Sequence, residues 1–101
     1  MKTTKQILQE AYDLIGDKKR WTQNAYAKDE YGTTVDARSE QAVCWCAGGA
    51  ITKAGDDFGN KAFYFLQGFC SDRYNMGIAY VNDQLGYAAI RRMFRKAIKA
   101  A

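Results

Sequence analysis

The sequence predicts a mainly α-helical fold, a compact single domain of four to five helices with at most a short β-hairpin near residues 24–35. Its length of 101 residues suits one domain. Apolar residues make up 48% of the chain, enough for a hydrophobic core, and in several segments they recur at helical spacing. No proline and no low-complexity run marks a linker. We therefore expect residues 1–101 to fold as one domain, α+β at most.

The first predicted helix covers residues 4–15. Thr3 and Gln6 have the spacing of a capping box, in which each side chain accepts a hydrogen bond from the backbone of the other residue. The apolar residues of this segment are Ile7, Leu8, Ala11, Leu14 and Ile15. Their spacing indicates an amphipathic helix with one face on the core.

Residues 24–35 have a different pattern. Two short runs containing tyrosine, threonine and valine flank Gly32, a residue suited to the positive φ of a turn. A short hairpin is predicted here. An ordered loop is the alternative, because two short strands alone are only marginally stable in water.

A second helix is predicted from Ser39 to Ala54. Ser39 can cap its first turn, and Glu40 would lie at the positive end of its dipole. Gly48 and Gly49 would fall inside this helix, each at a cost of roughly 1 kcal/mol relative to alanine. We expect a neighbouring backbone or aromatic ring to pack closely at these two glycines.

Two further segments lead to the end of the chain. Residues 60–70 carry apolar residues at helical spacing and predict a third helix. Residues 74–81 predict a short helix, although their large apolar residues alternate as they would in a strand.

Residues 86–100 have the clearest amphipathic pattern. Their apolar residues fall in one sector of a helical projection: Tyr87, Ile90, Met93, Phe94, Ala97 and Ile98. Their basic residues fall in the opposite sector: Arg91, Arg92, Arg95, Lys96 and Lys99. The segment predicts a helix docked on the core with a cationic outer face.

This last helix accounts for the net charge of +4, because the remaining chain carries ten basic and eleven acidic residues. A balanced body argues against a wholly basic nucleic-acid coat protein. The cationic face predicts a protein partner with an acidic or nucleic-acid-binding surface, or nucleic acid itself. Membrane attachment is not expected, because the core needs the apolar side of the helix.

Several short motifs follow one another along the chain before the final amphipathic helix. They are Trp21-Thr22-Gln23, Ala27, Asp29, Gly32, Trp45-Cys46, Gly49-Ala50 and Asn82-Asp83. The order resembles a small domain-of-unknown-function family found in phages and bacterial genomes. The resemblance implies a mostly helical fold and a phage or prophage setting, and it implies no activity.

The same motifs suggest a candidate site. Its residues are Trp21, Thr22, Gln23, Trp45, Cys46, Asn82 and Asp83. One interpretation is structural: indole rings anchor the core, and the short polar side chains hold loop backbone. The other is a ligand cleft, with a nucleotide as one candidate ligand.

The amino-acid composition gives little indication of a catalytic site. The chain has no histidine, which removes the commonest general base and metal ligand near neutral pH. Cys44 and Cys46 would point to different sides of a helix, and with Cys70 they leave a fourth zinc ligand missing. We expect no catalytic residues, no metal and no cofactor.

The sequence thus predicts a small non-catalytic binding protein of phage type, for example an inhibitor of a host defence complex that acts through its basic last helix. Tyr26, Tyr31 and Tyr64 are predicted to add to the partner-binding surface, because tyrosine favours interfaces. A nucleic-acid-binding accessory protein and a small-ligand domain are the alternatives. The odd cysteine count and the polar N-terminus predict a cytoplasmic protein, in the host cell if phage-encoded.

Overall fold

The computed structural model describes residues 2–101. It contains five α-helices and a small antiparallel sheet. The helices are α1 (Thr4–Leu14), α2 (Ala47–Gly55), α3 (Lys61–Tyr74), α4 (Ile78–Tyr80) and α5 (Tyr87–Ala100). The strands are β1 (Ala27–Lys28) and β2 (Cys44–Trp45), with a 3-10 turn at Lys18–Arg20 and a π-helical turn at Val81–Leu85. The mainly α fold predicted from the sequence is confirmed.

Helix α1 begins with the predicted capping box. The Thr3 hydroxyl accepts the N–H of Gln6 over 3.1 Å, and the Gln6 side-chain oxygen accepts the N–H of Thr3 over 2.7 Å. These bonds satisfy two of the backbone donors that a helix start leaves free. The apolar face of α1 is buried against α2, α3 and α5.

The core lies between α1, α2, α3 and α5. Helix α5 contributes Ile90, Met93, Phe94 and Ala97, all fully buried. Burial of a large apolar side chain contributes roughly 1.5–3 kcal/mol, so this face holds α5 firmly in place. No helix within residues 2–101 is long and apolar enough to cross a membrane.

Strand β1 pairs with β2, in the register Ala27 opposite Trp45 and Lys28 opposite Cys44. The predicted turn exists, because Gly32 has φ +79° and the N–H of Asp29 donates to the carbonyl of Thr33 over 2.9 Å. The return segment adds only a single bridge from Thr34 to Lys28. The main partner of β1 therefore comes from beyond the predicted hairpin, where pairing also buries Trp45.

Helix α2 begins at Ala47, and the predicted start near Ser39 is wrong. The Ser39 hydroxyl accepts the N–H of Gln41 over 3.1 Å and stabilises a local turn. The next residues are drawn into β2 by pairing with β1, so the helix starts only after that strand. Cys46 takes the capping position, with its sulfur accepting the N–H of Gly49 over 3.3 Å.

The two adjacent glycines of α2 allow Tyr26 to approach closely. The sequence predicted a backbone or an aromatic ring at this position, and Tyr26 supplies both. A Cβ at Gly49 would overlap the carbonyl oxygen of Tyr26. A Cβ at Gly48 would lie 3.2 Å from the Tyr26 ring and 3.4 Å from the Phe63 ring. The contact with Tyr26 offsets the low helix propensity of these glycines.

Helix α3 runs four residues beyond its predicted end at residue 70. Asn60 caps its start by accepting the N–H groups of Ala62 and Phe63. The helix ends where Asn75 adopts a left-handed conformation with φ +56°. The predicted short helix at 74–81 is found as α4, which continues directly into the π-helical turn.

Candidate functional site

Four of the motif residues, Trp21, Thr22, Gln23 and Asp83, are hydrogen-bonded to Asn82, a residue that is only 1% exposed. Its oxygen accepts the indole N–H of Trp21 over 2.8 Å and the backbone N–H of Ala47 over 3.0 Å. Its nitrogen donates to the carbonyl of Thr22 over 3.1 Å and to the Asp83 carboxylate over 2.9 Å. Both donors and both acceptor positions of the amide are thus used inside the protein.

Gln23 and Asp83 extend this network. The Gln23 amide nitrogen donates to the carbonyl of Asn82 over 3.2 Å and to that of Asp83 over 2.9 Å. One Asp83 oxygen also accepts the backbone N–H of Asn24 over 3.1 Å. The loop after the 3-10 turn is therefore tied to a segment some sixty residues later.

The π-helical turn at Val81–Leu85 positions Asn82 and Asp83. The N–H of Gly86 closes it by donating to the carbonyl of Val81 over 3.0 Å. Gly86 has φ +96°, a conformation that favours glycine. Within this turn the buried Asn82 faces the start of α2, whereas the neighbouring Asp83 is only half-buried.

Trp45 is placed apart from the Asn82 network. Its indole N–H donates to the carbonyl of Ala37 over 2.9 Å and so anchors the segment that leads from the turn to β2. Its backbone is joined to the loop of Trp21 and Thr22, because the Trp45 carbonyl accepts the N–H of Thr22 over 3.0 Å. The two tryptophans therefore fix two different segments to the core.

The described cysteines are free, and the surroundings of Cys46 and Cys70 favour the thiol form. Burial raises the pKa of Cys46, and burial raises the pKa of Cys70 to about 12. A thiolate nucleophile needs the opposite setting. Cys44 lies on β2, not on a helix as the sequence led us to expect, and within residues 2–101 no three Cys, Asp or Glu side chains are grouped to hold a metal ion.

The basic face of α5 forms a second candidate site. Arg92, Arg95, Lys96 and Lys99 are exposed, and Arg91 is half-buried. In residues 2–101 the ion pairs are Lys2 with Glu10 and Arg38 with Asp36, so none involves α5. None of the five cations is therefore paired with an acidic group of residues 2–101.

Arg91 differs from the other four because it packs on α1. Its guanidinium carbon lies 3.5 Å from the centre of the Tyr12 ring, and its Nη1 donates to the Tyr12 carbonyl. It also lies 5.6 Å from the centre of the Tyr87 ring. Arg91 thus holds α5 to α1, a role that its position among exposed cations in the sequence did not reveal.

Tyr12 was missed by the sequence reasoning, although it follows Leu8 by four residues on the same side of α1. Its hydroxyl accepts a hydrogen bond from Arg95 over 3.2 Å. This bond, together with the charge of the nearby Arg91, lowers the pKa of Tyr12 against the opposing effect of burial. The phenol therefore lies in a positively charged environment.

The three predicted interface tyrosines are exposed, at 47% for Tyr26, 84% for Tyr31 and 65% for Tyr64. They lie on three different parts of the chain, and none is on α5. Tyr26 packs edge-on against Phe58, with ring centres 5.4 Å apart, and Tyr64 packs against Phe63 at 5.5 Å. Tyr31 lies at the tip of the turn that contains Gly32.

Comparison with known proteins gives one match. A model described as a family of unknown function (DUF6197) matches residues 1–100. No curated protein and no solved structure matches the chain.

Proposed function

We propose that the chain, which belongs to the family of unknown function DUF6197, is a non-catalytic binding protein that engages an acidic surface of a partner protein through the exposed cations of α5. The observation that carries this proposal is the row of Arg92, Arg95, Lys96 and Lys99, exposed and without an ion pair to any of residues 2–101.

The distribution of charge supports one oriented contact. Residues 21–90 carry eight acidic and five basic groups, whereas the positive excess lies in the first twenty residues and α5. Like charges along one helix face repel each other, and a complementary acidic surface removes that repulsion on binding. Such a protein would approach an acidic partner with α5 leading.

A phage setting and a cytoplasmic location are part of the proposal. The motif order that resembles phage and prophage proteins supports the setting. The three cysteines are free, which suits a reducing compartment and supports the location. In that setting the protein would act by occupying a surface, for example on a host defence complex that itself binds nucleic acid.

Nucleic acid is the second candidate partner, and one contact favours it. The Lys18 amine lies 6.0 Å from the centre of the Tyr87 ring at the start of α5. This places the basic 3-10 turn, Lys18–Arg20, beside the helix, so the cations continue beyond α5. A longer cationic track suits a phosphate backbone.

A pull-down from bacterial lysate, with and without nuclease, separates the two candidates. The test variant is Arg92→Glu/Lys96→Glu/Lys99→Glu, which leaves the contacts of Arg91 and Arg95 with Tyr12 intact. The control is Lys28→Glu/Lys53→Glu/Lys61→Glu, with the same charge change away from α5.

A protein captured after nuclease treatment, retained by the control and lost in the test variant, supports the proposal. Capture of nucleic acid alone, with an affinity that falls steeply with salt, replaces it with the second candidate. If both variants capture the same protein as the wild type, α5 is not the contact surface.

A further inference from the structure

An open cleft of ≈ 430 Å³ adjoins the Asn82 network at Asn24 and Asp83. Its walls include Asn24, Tyr26, Thr34, Cys46, Ala79 and Asp83. The volume is within the range of small-molecule sites, roughly 300–1,000 Å³. Three elements distant in sequence meet here: the loop before β1, the cap of α2, and α4 with its π-helical turn.

Asp83 is the one charged residue among the described residues that line this cleft. Its Oδ1 accepts hydrogen bonds from Asn24 over 3.1 Å and from the Asn82 amide over 2.9 Å, which hold the carboxylate in place. Its Oδ2 receives no hydrogen bond from any of residues 2–101. A fixed carboxylate with a free oxygen is an acceptor for a cationic donor.

Tyr26 supplies an aromatic wall of the same cleft. Its backbone is held over Gly49, and its ring over Gly48 and edge-on to Phe58. The ring is therefore preorganised although it is nearly half exposed. An aromatic ring beside a carboxylate is a favourable environment for an organic cation, because both attract positive charge.

Below the cleft lies a recess of ≈ 40 Å³ that shares Tyr26, Cys46 and Ala79 with it. Phe63 and Ile78 form part of the recess wall. Its small size and largely apolar lining suit a short aliphatic group. The site thus combines a carboxylate in the outer cleft with an apolar inner recess.

We infer that this cleft binds a small organic cation, a primary ammonium or guanidinium group carried on a short aliphatic chain. The cationic group meets Asp83 and the Tyr26 ring, and the chain points towards the recess. A nucleotide does not suit the site, because its phosphates would face the Asp83 carboxylate with no cation in the lining. The inference is independent of the role proposed for α5.

Amide chemical shifts of the folded protein, titrated with probes of equal size, test the inference. The probes are n-butylammonium, 1-butanol and butyrate, which differ in charge, with n-butylguanidinium as the guanidinium. We expect shifts at Asn24, Cys46 and Asp83 with both cations, and binding of the alcohol and the anion weaker by about tenfold or more. Equal binding of butylammonium and butanol would overturn the inference.

Two variants connect the signal to the site. Asp83→Asn keeps a side-chain oxygen for the hydrogen bonds from Asn24 and Asn82 but loses the charge, so we expect an intact spectrum and cation binding weakened about tenfold or more. Ala79→Leu fills the exposed side of the cleft and should also abolish binding. Asp72→Asn, an exposed carboxylate of α3, is the matched control.

Unchanged affinity in both Asp83→Asn and Ala79→Leu would refute the site. A free amine fits this arrangement, whereas the aliphatic chain of a protein lysine ends in backbone that a recess of ≈ 40 Å³ cannot hold. Nα-acetyl-lysinamide should therefore bind more weakly than butylammonium, and tighter binding would overturn the placement of the aliphatic chain in the recess.

Discussion

The indole N–H of Trp21 donates to the side-chain oxygen of Asn82 over 2.8 Å, across 61 positions of sequence. The same oxygen accepts the first N–H of α2, from Ala47, over 3.0 Å. One amide therefore joins the loop before β1, the start of α2 and the turn before α5. Its central position brings Trp21, Thr22 and Gln23 next to Asn82 and Asp83, although some sixty positions of sequence separate them.

Asn82→Ala is expected to destabilise the protein by about 3–5 kcal/mol. The change leaves the Trp21 indole, the Ala47 N–H and the Thr22 carbonyl without partners, and each unpaired buried group costs about 1–3 kcal/mol. Urea unfolding measures the difference. Gln84→Ala, an exposed change in the same π-helical turn, is the control and should cost under about 0.5 kcal/mol. A loss below about 1 kcal/mol in Asn82→Ala would show that the network contributes little.

Gly49→Ala and Gly68→Ala should change stability in opposite directions. Alanine at position 49 would overlap the Tyr26 carbonyl, so we expect a loss of about 2 kcal/mol or more from overpacking. Position 68 has no atom near the added Cβ, so the higher helix propensity of alanine should add about 0.5–1 kcal/mol. Thermal unfolding of both variants shows whether each change lowers or raises the stability. Stabilisation by Gly49→Ala would contradict the close approach of Tyr26.

Arg95→Gln should raise the pKa of Tyr12 towards its ordinary value of 10.0. The lowered pKa depends first on the hydrogen bond from Arg95 and then on the positive charge nearby. In the wild type, a lowered folded pKa contributes stability above pH 10 that is lost as pH falls through that pKa. Ultraviolet titration of the phenol measures the shift. Arg92→Gln serves as the control. An equal shift of the Tyr12 pKa in that variant would mean that the overall positive charge of α5, and not the hydrogen bond from Arg95, lowers this pKa.

Cys70 should resist alkylation in the folded protein at pH 8. Burial raises its pKa to about 12, so the thiolate that reacts is scarce, and the side chain is fully buried. Since the unfolded thiol ionises near 9.0, Cys70 should reduce stability as pH rises from about 9 towards 12. Mass spectrometry after iodoacetamide treatment, with and without urea, tests the protection. Cys70→Ala should remove this part of the alkaline loss of stability.

Local patterns were enough to predict several elements. The capping box at Thr3 and Gln6 and the amphipathic period of α5 depend on residues within a few positions of one another, and the structure has both as predicted. The glycine pair in α2 also predicted a close neighbour correctly, because the energetic cost of glycine in a helix is local. What the pattern left open was the identity of that neighbour, Tyr26.

The start of α2 was placed wrongly because its cause is not local. Ser39 and Glu40 have the composition of a helix start, yet pairing of β2 with β1 draws the following residues into an extended conformation. That pairing joins Lys28 to Cys44, and local propensity carries no information about it. The same limitation applied to Arg91, whose contact with Tyr12 on α1 separates it from the other cations of α5.

The sequence by itself determined the helical class, the capped first helix and the charge of the last helix, since periodicity, caps and net charge are properties of neighbouring residues. Only the tertiary structure decided that the motif residues bind one another around Asn82, which leaves Asp83 and Tyr26 facing an open cleft. The reason is physical: a buried amide must find partners for all its polar atoms, and here those partners come from three separate segments of the chain.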